Sequence, residues 1–383
     1  MNDVAKLLAE LVGLPTQQSS SERAAGDELA LCRHVEPLLR ARGADEVVIV
    51  EAGRGADDRG QGGYVYARWG QPRLLVNAHV DTVPANAGWS RDPWTATVEG
   101  DRLYGLGACD TKGAIAAAIV ALDRQRPKDV GLLFSGDEER GTASMRHFLR
   151  SPHRAGVERA IVCEPTARRA GVRHRGVLAY RATTSGEGGH SSLADHMARP
   201  IATLARLAVL LDDHGRANVG AGLPDMRGLC MNVAGLDGGL AFNVVPAFGA
   251  LTWSVRPWPG FDRAAWDRTI SEMVANVERA TGAKIAVELI TDHAPFGAAD
   301  GNADPVLASL VGGHATALVG LDFWTEAALY QAAGMQAIVI GPGDIGQAHA
   351  ADEFVTLADL DWAVDFFADV YAKSRDGFRH GDT

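Results

Sequence analysis

The side chains of this 383-residue sequence with the most chemistry in them are His79, Asp81, Asp110, the pair Glu138-Glu139, Glu164 and His349. His79 and Asp81 stand two apart, just after the apolar run Leu74-Leu75-Val76. In extended backbone both side chains then project to one side. A histidine beside a carboxylate at a strand end suits a metal ligand with its orienting partner. Alone, the pair is weak evidence and is more often a structural histidine than a ligand. Glu138 and Glu139 follow the apolar run Val130–Ser135, Glu164 follows Ala160–Cys163, and His349 lies in the loop after Ala337–Ile340. Gathering so many carboxylates without a cation would cost several kcal/mol of repulsion and raise their pKa values. A divalent ion, or a pair of them, resolves that conflict. Two histidines, several carboxylates and no thiol pair suit zinc, or a similar ion such as cobalt or manganese. In Glu138-Glu139 one carboxylate can ligate while its neighbour faces the bound water as general base.

These residues need a scaffold that brings strand ends to one rim, and the hydrophobic pattern supplies one. Helices are predicted over residues 3–13, Glu22–Arg42, Lys112–Asp123, Pro305–Val311 and Leu357–Tyr371. Strands are predicted at Val47–Val50, Tyr64–Arg68, Leu74–Asn77, Val130–Ser135, Ala160–Cys163 and Ala337–Ile340, with a Gly- and Asp-rich turn over Gly53–Gly63. Alternating strands and helices indicate an α/β domain with a mostly parallel central sheet, whose carboxyl-terminal strand ends converge on one rim. Near residue 170 the character changes. Strand Gly176–Gly186, helix Ala198–Asp212, strands Met231–Leu236 and Ala247–Arg256, helix Asp262–Thr281 and strand Lys284–Ile290 follow. That β-α-β-β-α-β order matches an α+β, ferredoxin-like sheet. The expectation is a catalytic domain of residues 1–170 and 292–383, with residues 171–291 inserted.

Composition bounds the partners. A chain of this length favours two domains. Its 46% hydrophobic and 22% charged residues are ordinary for a soluble protein. A net charge of −11 argues against nucleic acid and against anionic membrane surfaces. Cys32, Cys109, Cys163 and Cys230 form no CxxC pair and read as reduced thiols. The first residues lack a basic region followed by a long apolar core, and no run approaches the ~20 apolar residues of a membrane span. A cytoplasmic protein with a small-molecule substrate is expected.

The ordered motifs carry a resemblance. His79-x-Asp81, Gly105-x-Gly107-x-x-Asp110-x-Lys112-Gly113, Asp137-Glu138-Glu139, Glu164-Pro165-Thr166, Gly189-His190-Ser191-Ser192 and Gly341-Pro342-Gly343 with His349-x-x-Asp352-Glu353 recur along the chain. Together they resemble the signature of the M20 metallopeptidase family over essentially its whole length. Thr325-Glu326-Ala327 and the stretch Gly341–Phe354 look most like its acetylornithine deacetylase branch, N-acetylcitrulline deacetylases in particular. The resemblance implies a zinc-exopeptidase-like catalytic domain and a lid domain that mediates a homodimer. It implies two zinc ions per subunit, with cobalt possible. Asp110 would bridge them, His79 and Glu164 would complete one site, and Glu139 and His349 the other. Glu138 would be the general base toward a metal-bridging hydroxide, and Asp81 would orient His79. His190 would reach the partner's active site and stabilise the oxyanion. Asn243 and Arg256 would bind the substrate carboxylate, and Arg175, with Arg173 and His174 beside it, would also meet substrate. Thr325 would join that contact segment. The implied reaction removes the acetyl group from N-acetylornithine or N-acetylcitrulline in arginine biosynthesis. Other family chemistries, a succinyl-diaminopimelate desuccinylase or a dipeptidase, remain open, as does a silent homologue that only binds acyl amino acids. Glu138 and all five ligand positions argue against silence.

Three other signals lead elsewhere. Gly341-x-Gly343-x-x-Gly346 formally matches a dinucleotide fingerprint, yet holds Pro342 and leaves too little chain for a βαβ unit. Cys109 and Cys163 flank expected ligands but lack a paired base, and read as small buried hydrophobes. The eight tryptophans read mainly as packing.

Overall fold

A computed structural model describes residues 2–19, 25–52 and 62–377. The chain divides into two compact units: residues 1–172, 302–319 and 325–383, and residues 173–301 with 320–324. The second unit runs beyond residue 291 because its last strand, Ala286–His293, stays paired to Val177–Leu178 at its far end, and His174 then bridges to Phe296. Among the described residues no helix is long and apolar enough to cross a membrane.

The first unit is built on the eight-stranded sheet. Its centre holds four parallel strands: β1 (Leu74–His79), β2 (Val130–Ser135), β3 (Arg159–Val162) and β4 (Gln336–Val339). They read as near-continuous apolar runs because both faces are covered, and every residue of β1 and β2 is buried. Antiparallel strands Gly63–Trp69 and Glu46–Glu51 extend the sheet beyond β2. Ala170–His174 and Leu318–Leu321 close its other side. The register places His79 opposite Ser135, Asn77 opposite Val162, and Val162 opposite Val339. β1 and β2 therefore end level with each other, and β3 and β4 end level two residues earlier, opposite Asn77.

Helix α1 (Gly113–Arg124) carries Ala114, Ala116, Ala117, Ala118 and Ala121, all buried. Such short side chains let Leu357–Ser374 approach closely enough for the Tyr371 hydroxyl to donate to the Ala118 carbonyl at 3.0 Å. The predicted elements recur with ends moved by a few residues; α1, for example, begins at Gly113 rather than Lys112. The expected helix start at Glu22 and most of the turn Gly53–Gly63 lie outside the described residues. Pattern reading missed the helix Ala143–Arg150, the strands Ala170–His174 and Leu318–Leu321, and a three-stranded sheet of Thr97–Glu99, Arg102–Tyr104 and Phe354–Thr356. The last three strands hold three residues each, too few to display a period.

In the second unit an antiparallel sheet runs Asn232–Gly238, Phe248–Val255, Val177–Ser185, Ala286–His293. Helices Pro200–Ala217 and Arg263–Thr281 cover it through a separate core of Leu178, Tyr180, Leu204, Leu207, Trp253 and Ile270. Tyr180 stacks on Trp253 with ring centroids 5.1 Å apart, and its hydroxyl accepts from the Trp266 indole at 2.9 Å. The β-α-β-β-α-β order is thus the one the periodicity indicates. Strand Val177–Ser185 alternates strictly between buried and less buried residues, as a sheet with one covered face requires.

Candidate metal centre

His79 is the last residue of β1 and is almost fully buried. Its Nδ1 lies 2.9 Å from the main-chain carbonyl of Asp81. A carbonyl can only accept, so Nδ1 carries a proton and Nε2 is the atom left for a ligand. That Nε2 stands 2.8 Å from Asp110 Oδ1. Asp81 orients the ring through its backbone, since its carboxylate Oδ1 is 3.7 Å from Nδ1. The carboxylate has a different task. Its two oxygens accept the main-chain N–H groups of Glu138 and Glu139, each at 3.1 Å, and the Gln18 amide at 2.6 Å. Asp81 therefore holds the turn that follows β2, a contact that sequence spacing does not reveal.

Asp110 reaches the centre from the turn before α1, where the Thr111 hydroxyl donates to the His79 carbonyl at 2.8 Å and accepts the His79 N–H at 3.1 Å. His349 comes from the loop after β4, with left-handed backbone at φ 59°. Its Nε2 lies 3.0 Å from Glu139 Oε1 and 3.4 Å from Asp110 Oδ2. Ligand atoms of His79, Asp110 and Glu139 all fall within 4.8 Å of one another. Glu164, just past β3, is buried and acts electrostatically on His79 and Glu138. Close backbone packing brings β4's loop to this point: a Cβ on Gly341 would meet the Glu164 carbonyl oxygen at 2.6 Å.

The electrostatics of the cluster favour a positive charge among its carboxylates. Burial and then the neighbouring Glu164 push the Glu138 carboxyl well above the usual range, and burial with Asp110 does the same to Glu164. Burial also raises Glu139, although its bond to His349 opposes the rise. Asp110 goes the other way: burial would raise it, but bonds from His349 and His79 hold it low. His349 is pushed up to about 10 by its bonds to Asp110 and Glu139, and His79 is also raised, its bond to Asp110 overcoming burial. Clustered carboxylates outnumber the two imidazoles, and all donors are nitrogen or oxygen. A divalent cation fits this set.

Two buried carboxylates beside the cluster were not among the expected site residues. Glu326 accepts from the Ser135 hydroxyl at 2.8 Å, and burial pushes it up to about 7. Glu353 accepts three main-chain N–H groups from the Asp110 turn. Both lie within quoted motifs, but only the three-dimensional fold shows what they touch.

The remaining expected residues occupy varied positions. Thr325 is completely buried, and its hydroxyl accepts the Ala327 N–H at 3.1 Å. In the second unit His190 is exposed and pairs with Val244, while the Asn243 carbonyl accepts the Ser191 N–H at 3.1 Å, so His190 and Asn243 share one exposed corner. The Ser192 N–H donates to His190 Nδ1 at 3.2 Å, which leaves the proton of the neutral ring on Nε2. Arg175 is buried, bonded to Asp322 at 2.7 Å and to the carbonyls of Arg227, Gly228 and Arg256. Its guanidinium is thus engaged in holding loops, Arg256's among them, where the sequence suggested substrate contact. Arg173 pairs with Asp225 at 2.8 Å, and His174 is buried with Nδ1 2.8 Å from the Arg175 carbonyl. Arg256 is only partly buried, and desolvation lowers its pKa.

Sequence and structure comparisons agree with this geometry. The pattern of peptidase family M20/M25/M40 matches residues 75–373. The chain is 34% identical over 337 residues to an N-acetyl-L-citrulline deacetylase of Xanthomonas campestris pv. campestris, covering 82% of this chain and 84% of that protein. It is 32% identical over 302 residues to an acetylornithine deacetylase of Proteus mirabilis, covering 75% and 76%. Among solved structures, the di-peptidase Dug1p of Saccharomyces cerevisiae superposes with a TM-score of 0.78 at 16% identity, over 97% of this chain and 96% of that one. A dinuclear metal-binding M20 peptidase of Bacillus subtilis gives 0.66 at 16% identity, over 96% of each. The motifs, the converging strand ends and the nitrogen-oxygen donor cluster have one common explanation: the chain belongs to peptidase family M20/M25/M40, as a metal-dependent hydrolase of amide bonds.

Proposed function

We propose that the protein is a dinuclear zinc deacetylase that hydrolyses an Nα-acetyl amino acid, N-acetylornithine or N-acetylcitrulline, in arginine biosynthesis. The reading rests above all on one observation: His79, Asp110, Glu139 and His349 meet at a carboxylate cluster in which Glu138 lies under the electrostatic influence of Glu164, His79 and Glu139. The names of the 30–34% identical relatives supply the substrate class. Asp110 would serve both ions, His79 and Glu164 one of them, and Glu139 and His349 the other. Zinc, or cobalt in its place, would supply Lewis acidity for the acetyl carbonyl and lower the pKa of a bound water.

The chain's own groups carry the rest. Glu138 accepts a proton from the attacking water as a C–O bond forms at the acetyl carbon. It returns that proton to the nitrogen as the C–N bond breaks, and the second proton of the water also passes to the amine, releasing acetate and the ammonium form of the amino acid. His190, presented by the second subunit of a cytoplasmic homodimer, donates Nε2–H to the oxygen that gains charge. Asn243 and Arg256 bind the substrate carboxylate, with Arg175 holding the main chain of Arg256 at 3.0 Å. Thr325, whose hydroxyl accepts the Ala327 N–H, would join the substrate-contact segment through its main chain.

The test is a panel of Nα-acetyl amino acids and dipeptides assayed with zinc-loaded protein. Turnover of acetylornithine or acetylcitrulline well above the rest is the expected outcome, and turnover of dipeptides alone would overturn the substrate assignment. Arg256→Ala is expected to lower kcat/KM about 10–100-fold, chiefly through KM, as loss of a charge-assisted bond of ~1.5–3 kcal/mol implies. An N-acetyl amine that lacks the carboxylate should be turned over equally by both proteins, and this second substrate checks the assignment.

A further inference from the structure

Asp352 and Glu353 lie beyond His349 in the sequence, and neither has a part in the chemistry described above. Their side chains hold two different loops, Asp352 the one that carries Ser90 and Glu353 the turn before α1. Glu353 is buried, and its Oε2 accepts the Gly107 N–H at 2.9 Å. Oε1 accepts the N–H groups of Cys109 at 2.8 Å and of Asp110 at 3.0 Å. The amides of Gly107, Cys109 and Asp110 converge where Gly107 turns left-handed at φ 78°, forming a concave site for an anion. A side chain there would clash, since a Cβ on Gly107 would stand 2.7 Å from Thr82 Cγ2. The Glu353 carbonyl adds a bond from the Gly105 N–H at 3.0 Å.

Asp352 grips the other loop. Its Oδ1 accepts the Ser90 N–H at 3.0 Å, and its Oδ2 accepts the Ser90 hydroxyl at 2.6 Å. From the same loop the Asn86 amide donates to the His349 carbonyl at 3.3 Å. Both His349 and Asp352 hold positive φ, 59° and 56°, which non-glycine residues adopt only when their surroundings hold them there. The short segment from His349 to Glu353 is therefore anchored on one side to the Ser90 loop and on the other to the turn carrying Asp110.

We propose that Asp352 and Glu353 form a two-headed clamp of positioning residues that sets the spacing of Asp110 and His349, and with it the affinity of the site for its metal. The proposal rests on the reading that Asp110 and His349 are ligands. Neither clamp carboxylate touches substrate; each acts through the loop it holds. Partners of this kind, one layer behind metal ligands, typically change affinity 10–100-fold when removed.

The experiment uses the full-length protein, stripped of metal and reloaded. Zinc dissociation constants come from competition with a chromophoric chelator, coordination from the visible absorption of the cobalt-loaded form, and folding from circular dichroism. Glu353→Gln, which turns an amide NH₂ toward main-chain donors, is expected to weaken zinc binding about 10–100-fold and to shift the cobalt band. Ser90→Ala should shift both in the same direction by less, and Ser90→Thr, which restores the hydroxyl, should recover them. Folded variants with wild-type affinity and band, even at lowered melting temperature, would overturn the clamp. Should Glu353→Gln fail to fold, the Ser90 pair decides, and an unchanged Ser90→Ala overturns the proposal. Wild-type protein that takes up neither zinc nor cobalt would instead overturn the metal assignment, and the clamp with it.

Discussion

Glu138→Gln is expected to lower kcat by roughly 10²–10⁴-fold while leaving metal content, fold and KM close to wild type, the span usual for loss of a general base. Glutamine matches glutamate in shape, so the turn held by Asp81 through the N–H groups of residues 138 and 139 should stay in place. What is lost is the capacity to take a proton. The neighbouring Glu139 cannot substitute, because its Oε1 is engaged by His349 at 3.0 Å. Metal analysis and steady-state kinetics on one preparation separate the outcomes. Lost metal would make Glu138 a ligand, and retained turnover would remove it from the mechanism.

Removing the metal should make stability fall as pH rises, most steeply between about pH 4.5 and 10. Most of the shifts share one sign. Glu138, Glu139, Glu164, Glu326 and Glu353 have folded pKa values above their unfolded ones, Glu326 and Glu353 at about 7, chiefly through burial. Between the unfolded and folded values the native state binds more protons, so stability declines with increasing pH. His349, raised to about 10, and His79 act in the same direction: their contributions are full below about 6.5 and vanish as pH passes the folded values. Asp110 and Lys112 have the opposite sign: Asp110 acts only at pH below the usual carboxylate range, and Lys112, which burial pushes down to about 7, acts only above about pH 7, where it offsets one of the raised groups. A bound cation takes over the role of those protons. Melting curves of chelator-treated protein should therefore shift down from pH 5 to pH 8, and added zinc should restore more at pH 8. At free zinc 100-fold above its dissociation constant the gain is about 2.7 kcal/mol. A metal-free melting temperature that rises over this range would contradict the burial of these carboxylates.

Much of this protein is legible from local pattern. Leu74–Val76 and Val130–Ser135 announce buried strands by unbroken apolar character, and Glu138, Glu139 and Glu164 stand out because charge follows immediately on such runs. The second unit is equally clear, since one wet sheet face makes Val177–Ser185 alternate. Strand-end logic gathers the candidate ligands without coordinates, because the carboxyl ends of neighbouring parallel strands share one rim. Local pattern says nothing, however, about which atoms a side chain will meet across hundreds of residues. Arg175 looks like a substrate contact until the loops of Arg227, Gly228 and Arg256 close around it. Asp81 looks like the partner of His79, yet its carboxylate supports Glu138 and Glu139 while its carbonyl orients the ring. Glu353 reads as one more acidic residue until the left-handed turn at Gly107 aims three amides at it. Composition and spacing determined the fold class and marked out a nitrogen- and oxygen-donor set suited to a metal, because periodicity and donor chemistry are local properties. The tertiary structure decided which carboxylates gather at the strand ends and which hold the loops, because hydrogen bonds go to whatever group the packed chain brings within about 3 Å.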